Sequence, residues 1–345
     1  MSFTINGIQH IAIGVNNAIA AAKWYKENYN FTTHINKSTE DATHVKALTG
    51  GRLQHRTCIQ IANIHGSGGA LNLWQYTSRP QQENKVAYGM LGINAILLNC
   101  FNMHQLQMQL KQDHIPSYPI INPQGNAALY VSDYFNHNAF FTAITSNNKN
   151  AINSGVNGAI IGVSNVDESL AFYKKIFPNL LVEYDQTCKF SDLVGAENKI
   201  FRRLQFSVTT QAVSTFSAFL GTPTIQLLQA VNEVNVKRTY DNKFWGDVGI
   251  MHIAFDVVNA AALKTYLQQA GIPIIASSFE QVTGSIIANH IYIKDVDGTV
   301  ILFTELLQMT LNKKWNWHLK ITAKNQYKRL SKWKLNLLGL QKMGH

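Results

Sequence analysis

The chain is short of the features that would place it outside the ordinary globular proteins. It has three cysteines, Cys58, Cys100 and Cys188, in 345 residues. An odd number at wide spacing supports no disulfide framework and fits reduced thiols in a cytoplasm, where the protein is expected to reside. None of the three sits beside a histidine in a recognisable motif, so a catalytic thiol is not expected. No run approaches the roughly 20 apolar residues that a membrane-crossing helix needs, and the start, Met1-Ser2-Phe3-Thr4, lacks a basic region followed by an apolar stretch. Charged residues make up only 14% against 46% hydrophobic, which argues for a packed core rather than disorder.

Acidic residues are missing from one place in particular. From Leu311 to His345 there are nine Lys or Arg and no Asp or Glu, while the other 310 residues carry 21 basic against 20 acidic side chains. The net charge of +10 therefore belongs to a tail and not to the body. Trp315, Trp317, Ile321, Tyr327, Leu330, Trp333 and Leu335 are interleaved with these cations. That pattern describes an amphipathic helix that packs on the body, or one offered through residues 311–345 to a membrane surface or a protein partner. No nucleic-acid motif accompanies it, and a nucleic-acid partner is not expected.

What is present is a repeat. Ile8-Gln9-His10-Ile11-Ala12-Ile13-Gly14-Val15 reads as a strand and 19–29, with Trp24-Tyr25-Lys26, as an amphipathic helix. The same text returns 148 positions later, aligning Gly14 with Gly162 and Tyr25 with Tyr173. A second unit, Gly92-Ile93-Asn94-Ala95-Ile96-Leu97 with a helix ending His114-Ile115-Pro116, returns as His252-Ile253-Ala254-Phe255-Asp256-Val257 with a helix ending Gly271-Ile272-Pro273. Asp133-Tyr134-Phe135-Asn136 likewise returns as Asp295-Val296-Asp297-Gly298. Each unit reads as strand, helix and three strands, so the expected class is α+β: four βαβββ modules forming two open, cavity-enclosing β-sheet pairs, with a basic helical tail. The expected boundaries are a first domain over 1–146 (modules 7–80 and 88–146), a linker at 147–155, a second domain over 156–307 (modules 156–232 and 245–307) and the tail at 308–345. A single chain supplies both halves of each cavity, so a monomer is the simpler expectation.

His10-Ile11-Ala12-Ile13, Leu71-Asn72-Leu73-Trp74-Gln75, His252-Ile253-Ala254-Phe255-Asp256-Val257 and Asp295-Val296-Asp297-Gly298 running to Phe303-Thr304-Glu305 resemble the vicinal oxygen chelate superfamily, which includes glyoxalase I, methylmalonyl-CoA epimerase, extradiol dioxygenases and bleomycin-resistance proteins. The resemblance covers about 7–307. It implies a divalent metal held by residues from the first and last strands of two paired modules. The first-strand places are His10, Gly92, Gly158 and His252, and the last-strand places Gln75, Ala143, Gln229 and Glu305. Pairing the first module with the fourth gives one complete set, His10, Gln75, His252 and Glu305, and leaves Gly92, Ala143, Gly158 and Gln229 as an empty one.

Those ligands suit Zn, Ni, Co, Mn or Fe without choosing among them. The resemblance then implies a metal-dependent lyase or isomerase acting on a small carbonyl substrate. The metal would chelate vicinal oxygens and stabilise an enediolate, with Glu305 both ligand and catalytic base. Glu305 lies seven residues after Gly298, whereas many family members place the acid four residues after it, where this chain has Leu302. The longer spacing resembles the hydroxyphenylpyruvate dioxygenase type, and a non-haem Fe(II) dioxygenase using His10, His252 and Glu305 is the alternative. A metal-free small-molecule binding protein of the bleomycin-resistance type is the second alternative. His55, His65, His104, His114, His137 and His290 have no partner at ligand spacing and are expected at surface or turn positions.

Overall fold

A computed structural model describes residues 2–83, 85–145, 151–209, 213–233, 236–241, 243–312, 317–331 and 333–335. The first module comprises β1 (Thr4–Gly14), α1 (Ala18–Tyr29), β2 (Thr33–Asp41), β3 (His55–Ala62) and β4 (Ala70–Tyr76). The second comprises β5 (Gly92–Cys100), α2 (Met103–Gln112), β6 (Ser117–Ile121), β7 (Ala127–Ser132) and β8 (Asn138–Ala143). The third has β9 (Asn153–Gly162), α3 (Val166–Ile176), β10 (Leu180–Lys189), β11 (Ile200–Val208), a single turn α4 (Ser217–Leu220) and β12 (Thr224–Ala230). The fourth has β13 (Gly249–Val258), α5 (Ala260–Gln269), β14 (Ile274–Thr283), β15 (Ile286–Lys294) and β16 (Val300–Asn312). Asparagine opens each of the four long helices: Asn17, Asn102, Asn165 and Asn259 accept from backbone N–H groups of the first turn, which would otherwise have no partner.

The strands form two curled sheets. Sheet I runs β14-β15-β16-β13-β1-β4-β3-β2 and sheet II runs β10-β11-β12-β9-β5-β8-β7-β6. The first module is thus joined to the fourth across β1 and β13, with His10 opposite Ala254 and Ala12 opposite His252, and the second to the third across β5 and β9. One apolar cluster joins the helix-facing sides of both sheets, from Ile11, Leu73 and Phe255 to Ile96, Phe141 and Leu227, with α1, α2, α3 and α5 packed into it. Burial of this kind, at about 25 cal/mol per Å2, is the main stabilising term. The concave faces line separate clusters.

The repeated residues lock the sheets together. Tyr25 on α1 donates to Asp133 in the β7–β8 turn (2.6 Å), and Tyr173 on α3 donates to Asp295 in the β15–β16 turn (3.1 Å). Burial, then Asp133, raises the Tyr25 phenol well above its usual range, and burial pushes the Asp295 carboxyl up to about 6. Gly14 and Gly162 are equivalent for a steric reason: a Cβ would lie 2.0 Å from the Asp247 carbonyl oxygen at the first and 1.9 Å from the Met90 oxygen at the second. In each case the carbonyl belongs to the segment leading into the partner module.

Residues 333–335 are helical, but the start of the expected helical tail is strand. β16 runs on to Asn312, and β17 (Trp317–Lys320) pairs back on it, because Met309, Leu311 and Leu319 bury on one apolar cluster. Ile321, Leu330 and Leu335 pack against the same cluster. Residue 146 of the expected first domain, residues 147–150 of the linker and 313–316, 332 and 336–345 of the tail lie outside the described residues.

Candidate functional site

Strand pleat decides which side chains meet on the concave face of sheet I. β1 pairs in parallel with β4, His10 opposite Ala70 and Gly14 opposite Trp74, and β13 pairs in parallel with β16, His252 opposite Val300. His10 and His252 therefore share a face with Asn72, Trp74, Tyr76, Leu302 and Thr304. Their Nε2 atoms are 3.2 Å apart, and both rings are buried, 4% and 0% exposed. Burial, then the neighbouring His290, drives His10 down to about 3; burial, then His10, drives His252 well below the usual imidazole range. Both are neutral at physiological pH.

Gln75 and Glu305 fall on the other face. Gln75 Oε1 accepts from the backbone N of Ala18 at the start of α1 (3.0 Å). Glu305 accepts from the N of Asn259 (2.7 Å) and of Ala260 (3.1 Å) at the start of α5, and from Asn289 Nδ2 (2.8 Å). Gln229, the third member of the set, does the same for α3 through Val166 N (3.1 Å). The recurring amide or carboxylate is thus a second helix cap supplied by the last strand. Of the four expected ligands, the structure brings together the two histidines and separates them from Gln75 and Glu305 by the thickness of the sheet.

The fit to a metal centre is decided by these donors. Two imidazole nitrogens 3.2 Å apart can occupy adjacent positions around an ion with about 2.0–2.1 Å bonds. No carboxylate joins them: the concave places beside Glu305 hold Leu302 and Thr304. Asn72 approaches His10 Nε2 at 3.5 Å, while its Oδ1 accepts from the Cys58 thiol (2.7 Å). Among the described residues no three of His, Cys, Asp and Glu are gathered as metal ligands would be. The donors present do not fit the expected four-ligand centre.

The rest of this face is built from aromatic rings and one arginine. Trp245 lies flat on His252 (centroids 5.5 Å, 20° between planes), and Trp74 and Tyr292 meet the same ring edge-on. Arg56, 2% exposed, stacks on Trp74 at 3.7 Å and pairs with Glu40 at 3.2 Å. Arg56 Nε and Nη1, Trp74 Nε1, Tyr76 OH and His252 Nδ1 are buried without a hydrogen-bond partner. His290, expected at the surface or in a turn, is on this face, stacked on His44 at 6.0 Å; His137 is buried beside Asp133. Burial lowers His44 to about 3 and His290 to about 4. A cavity of about 520 Å3 opens onto Trp245, Met251 and Val300 at one end of this aromatic cluster. At the other end of the groove Asp256, held by Asn6 Nδ2 at 2.6 Å, is pushed up to about 7 by burial. Arg56 shares its strand with the polar residues His55, Thr57 and Gln60, so nothing in the sequence singles it out.

Residues 155–303 match the Glyoxalase/Bleomycin resistance protein/Dioxygenase superfamily. No curated protein matches the chain. Glyoxalase I from Zea mays superposes with a TM-score of 0.57 at 11% identity, covering 88% of this chain and 93% of that one. A putative dioxygenase from Bacillus subtilis subsp. subtilis str. 168 gives 0.58 at 11% identity, covering 99% and 97%. The fold is the one these two structures share, with two pseudo-symmetric sheets, and the superfamily match itself spans residues 155–303. At this identity the likeness extends to the fold alone. Among the described residues no helix is long and apolar enough to cross a membrane.

Proposed function

We propose that the chain is a small-molecule binding protein on a glyoxalase-type scaffold. Its ligand enters by the cavity that opens onto Trp245, Met251 and Val300 and is held at the aromatic cluster around Arg56 and the neutral histidine pair. The observation that carries this reading is the placement of Gln75 and Glu305 on the helix side of the sheet, where both are used as caps. The chamber keeps five buried polar atoms without partners, and unmet groups of this kind cost about 1–3 kcal/mol each until a ligand or water satisfies them. His10 and His252 supply neutral donors and acceptors, Arg56 a positive charge, and Trp74 and Trp245 flat apolar surface.

The spacing of the two imidazoles favours a second reading, the metal-dependent lyase or isomerase, in which His10 and His252 would hold two positions of a divalent ion that activates a carbonyl substrate. The Fe(II) dioxygenase needs a carboxylate on the same face as the histidines, and Glu305 faces away. Elemental analysis of protein purified without an affinity tag, before and after exposure to Zn2+, Ni2+ and Fe2+, separates the readings. The binding protein retains well under one equivalent. One equivalent of metal lost in the His10→Ala, His252→Ala double variant would overturn it in favour of the lyase.

A further inference from the structure

We infer that sheet II carries a second, independent binding site for a neutral, hydroxyl-rich molecule of monosaccharide size. Its concave face lacks the histidines of sheet I, and beside a cluster of Tyr88, Tyr130, Phe140, Phe190 and Phe201 it is lined by amides. It encloses a cavity of about 200 Å3, below the roughly 300–1,000 Å3 that holds drug-sized ligands and suited to a single sugar ring.

The floor of this cavity is built from buried polar groups in fixed orientation. Arg203 donates through Nη1 to both oxygens of Asp192 (2.9 and 2.7 Å), and through Nε and Nη2 to Gln226 Oε1 (3.0 and 2.6 Å). Gln226 Nε2 in turn donates to Gln205 Oε1 (2.7 Å), and Gln205 Nε2 to Glu183. Arg203, Asp192, Gln205 and Gln226 are all more than nine-tenths buried. The relay sets each amide, and the positive charge is neutralised within the floor by Asp192 instead of being presented to an anion.

On the two central strands, Asn157 Nδ2 donates to Asn99 Oδ1 (3.1 Å), which leaves Asn157 Oδ1 a buried acceptor without a partner. Asn126 lines the rim, and Gln124 donates to Glu183 (3.1 Å), linking the two outer arms of the sheet. Phe140 and Leu97 supply one apolar patch. An amide presents a donor and an acceptor side by side, and a hydroxyl is both at once, so a ring of amides matches a polyol. An apolar ligand would leave those amides unsatisfied, and an anion would meet Glu183.

The test is titration of the full chain with D-glucose, D-galactose, D-mannose and myo-inositol, read by calorimetry and by the side-chain amide resonances of a 15N-labelled sample. At least one should bind saturably with Kd on the order of 1 mM or tighter, moving the Asn157 and Asn126 amide signals. Asn157→Leu and Asn126→Ala should each weaken binding about tenfold, the loss expected for one or two hydrogen bonds; Asn126 is an exposed turn residue, so its variant should fold normally. The proposal is overturned if none of the four probes saturates, if binding survives both substitutions unchanged, if the shifts fall at His10 and Trp245, or if acetate binds at Asn157 while the sugars do not.

Discussion

Replacing Glu305 by alanine tests whether this residue serves the helix or a metal. Its carboxylate accepts from two backbone N–H groups of the first turn of α5 and from Asn289 Nδ2, all within 3.1 Å. A hydrogen bond to a charged acceptor contributes about 1.5–3 kcal/mol, and a negative charge at a helix N-terminus about 0.3–1 kcal/mol. Glu305 is half-buried, so water replaces part of what is lost. The net cost should be about 3 kcal/mol, read as a shift in the midpoint of urea unfolding at constant slope. Glu305→Gln, which keeps an acceptor oxygen, should cost about half as much. The measurements are made in EDTA and again with excess Zn2+. A cap gives the same loss in both. A loss below about 0.5 kcal/mol in EDTA that grows when metal is added would refute the assignment and return Glu305 to the metal.

Three further outcomes are expected. Burial keeps Asp256 protonated up to about pH 7 in the folded chain, against 3.8 unfolded, so the folded state holds a proton that the unfolded state has released. Stability from this group is full below about pH 4 and falls as pH rises through 7, by up to about 4 kcal/mol; in Asp256→Asn, thermal melts should lose that fall, and an unchanged pH profile would count against it. Tyr25→Phe and Tyr173→Phe should each cost about 2 kcal/mol in urea unfolding, since each strips a buried aspartate of a hydroxyl donor; a neutral result for both would remove the phenol–carboxylate bonds as a tie between the sheets. Gly162→Ala should lower Tm by several degrees, because the added Cβ would sit 1.9 Å from the Met90 oxygen and the chain must shift.

The histidine faces were legible because Ile11 and Ile13, and Ile253 and Phe255, alternate with His10 and His252 at period two. β4 gives no such signal. In Leu71-Asn72-Leu73-Trp74-Gln75-Tyr76 both faces are largely buried, Leu71 and Leu73 against the helices and Trp74 and Tyr76 in the chamber, so apolar residues fall on both parities. Only the ladder, which sets Trp74 opposite Gly14, shows that Gln75 points to α1. The recurrence of Gln75, Gln229 and Glu305 was real in the sequence, but what recurs is a helix start in need of an acceptor. Trp245 and Arg56 reach His252 and Trp74 through tertiary folding, and no local spacing announces either.

The two sheets are nested in the chain like brackets. Sheet II is made from residues 92–230, and sheet I from the segments on either side of them. A ribosome that has released the first three modules has therefore supplied every strand of sheet II, while β1 still lacks β13, which begins only at Gly249. The open edge of β1 must wait longest, and the closing of sheet I is set by the last module to emerge. Chains stalled before residue 249 should resist protease across β5 and β9 and be cut within the first module, which makes the earliest of the four modules the last to be secured.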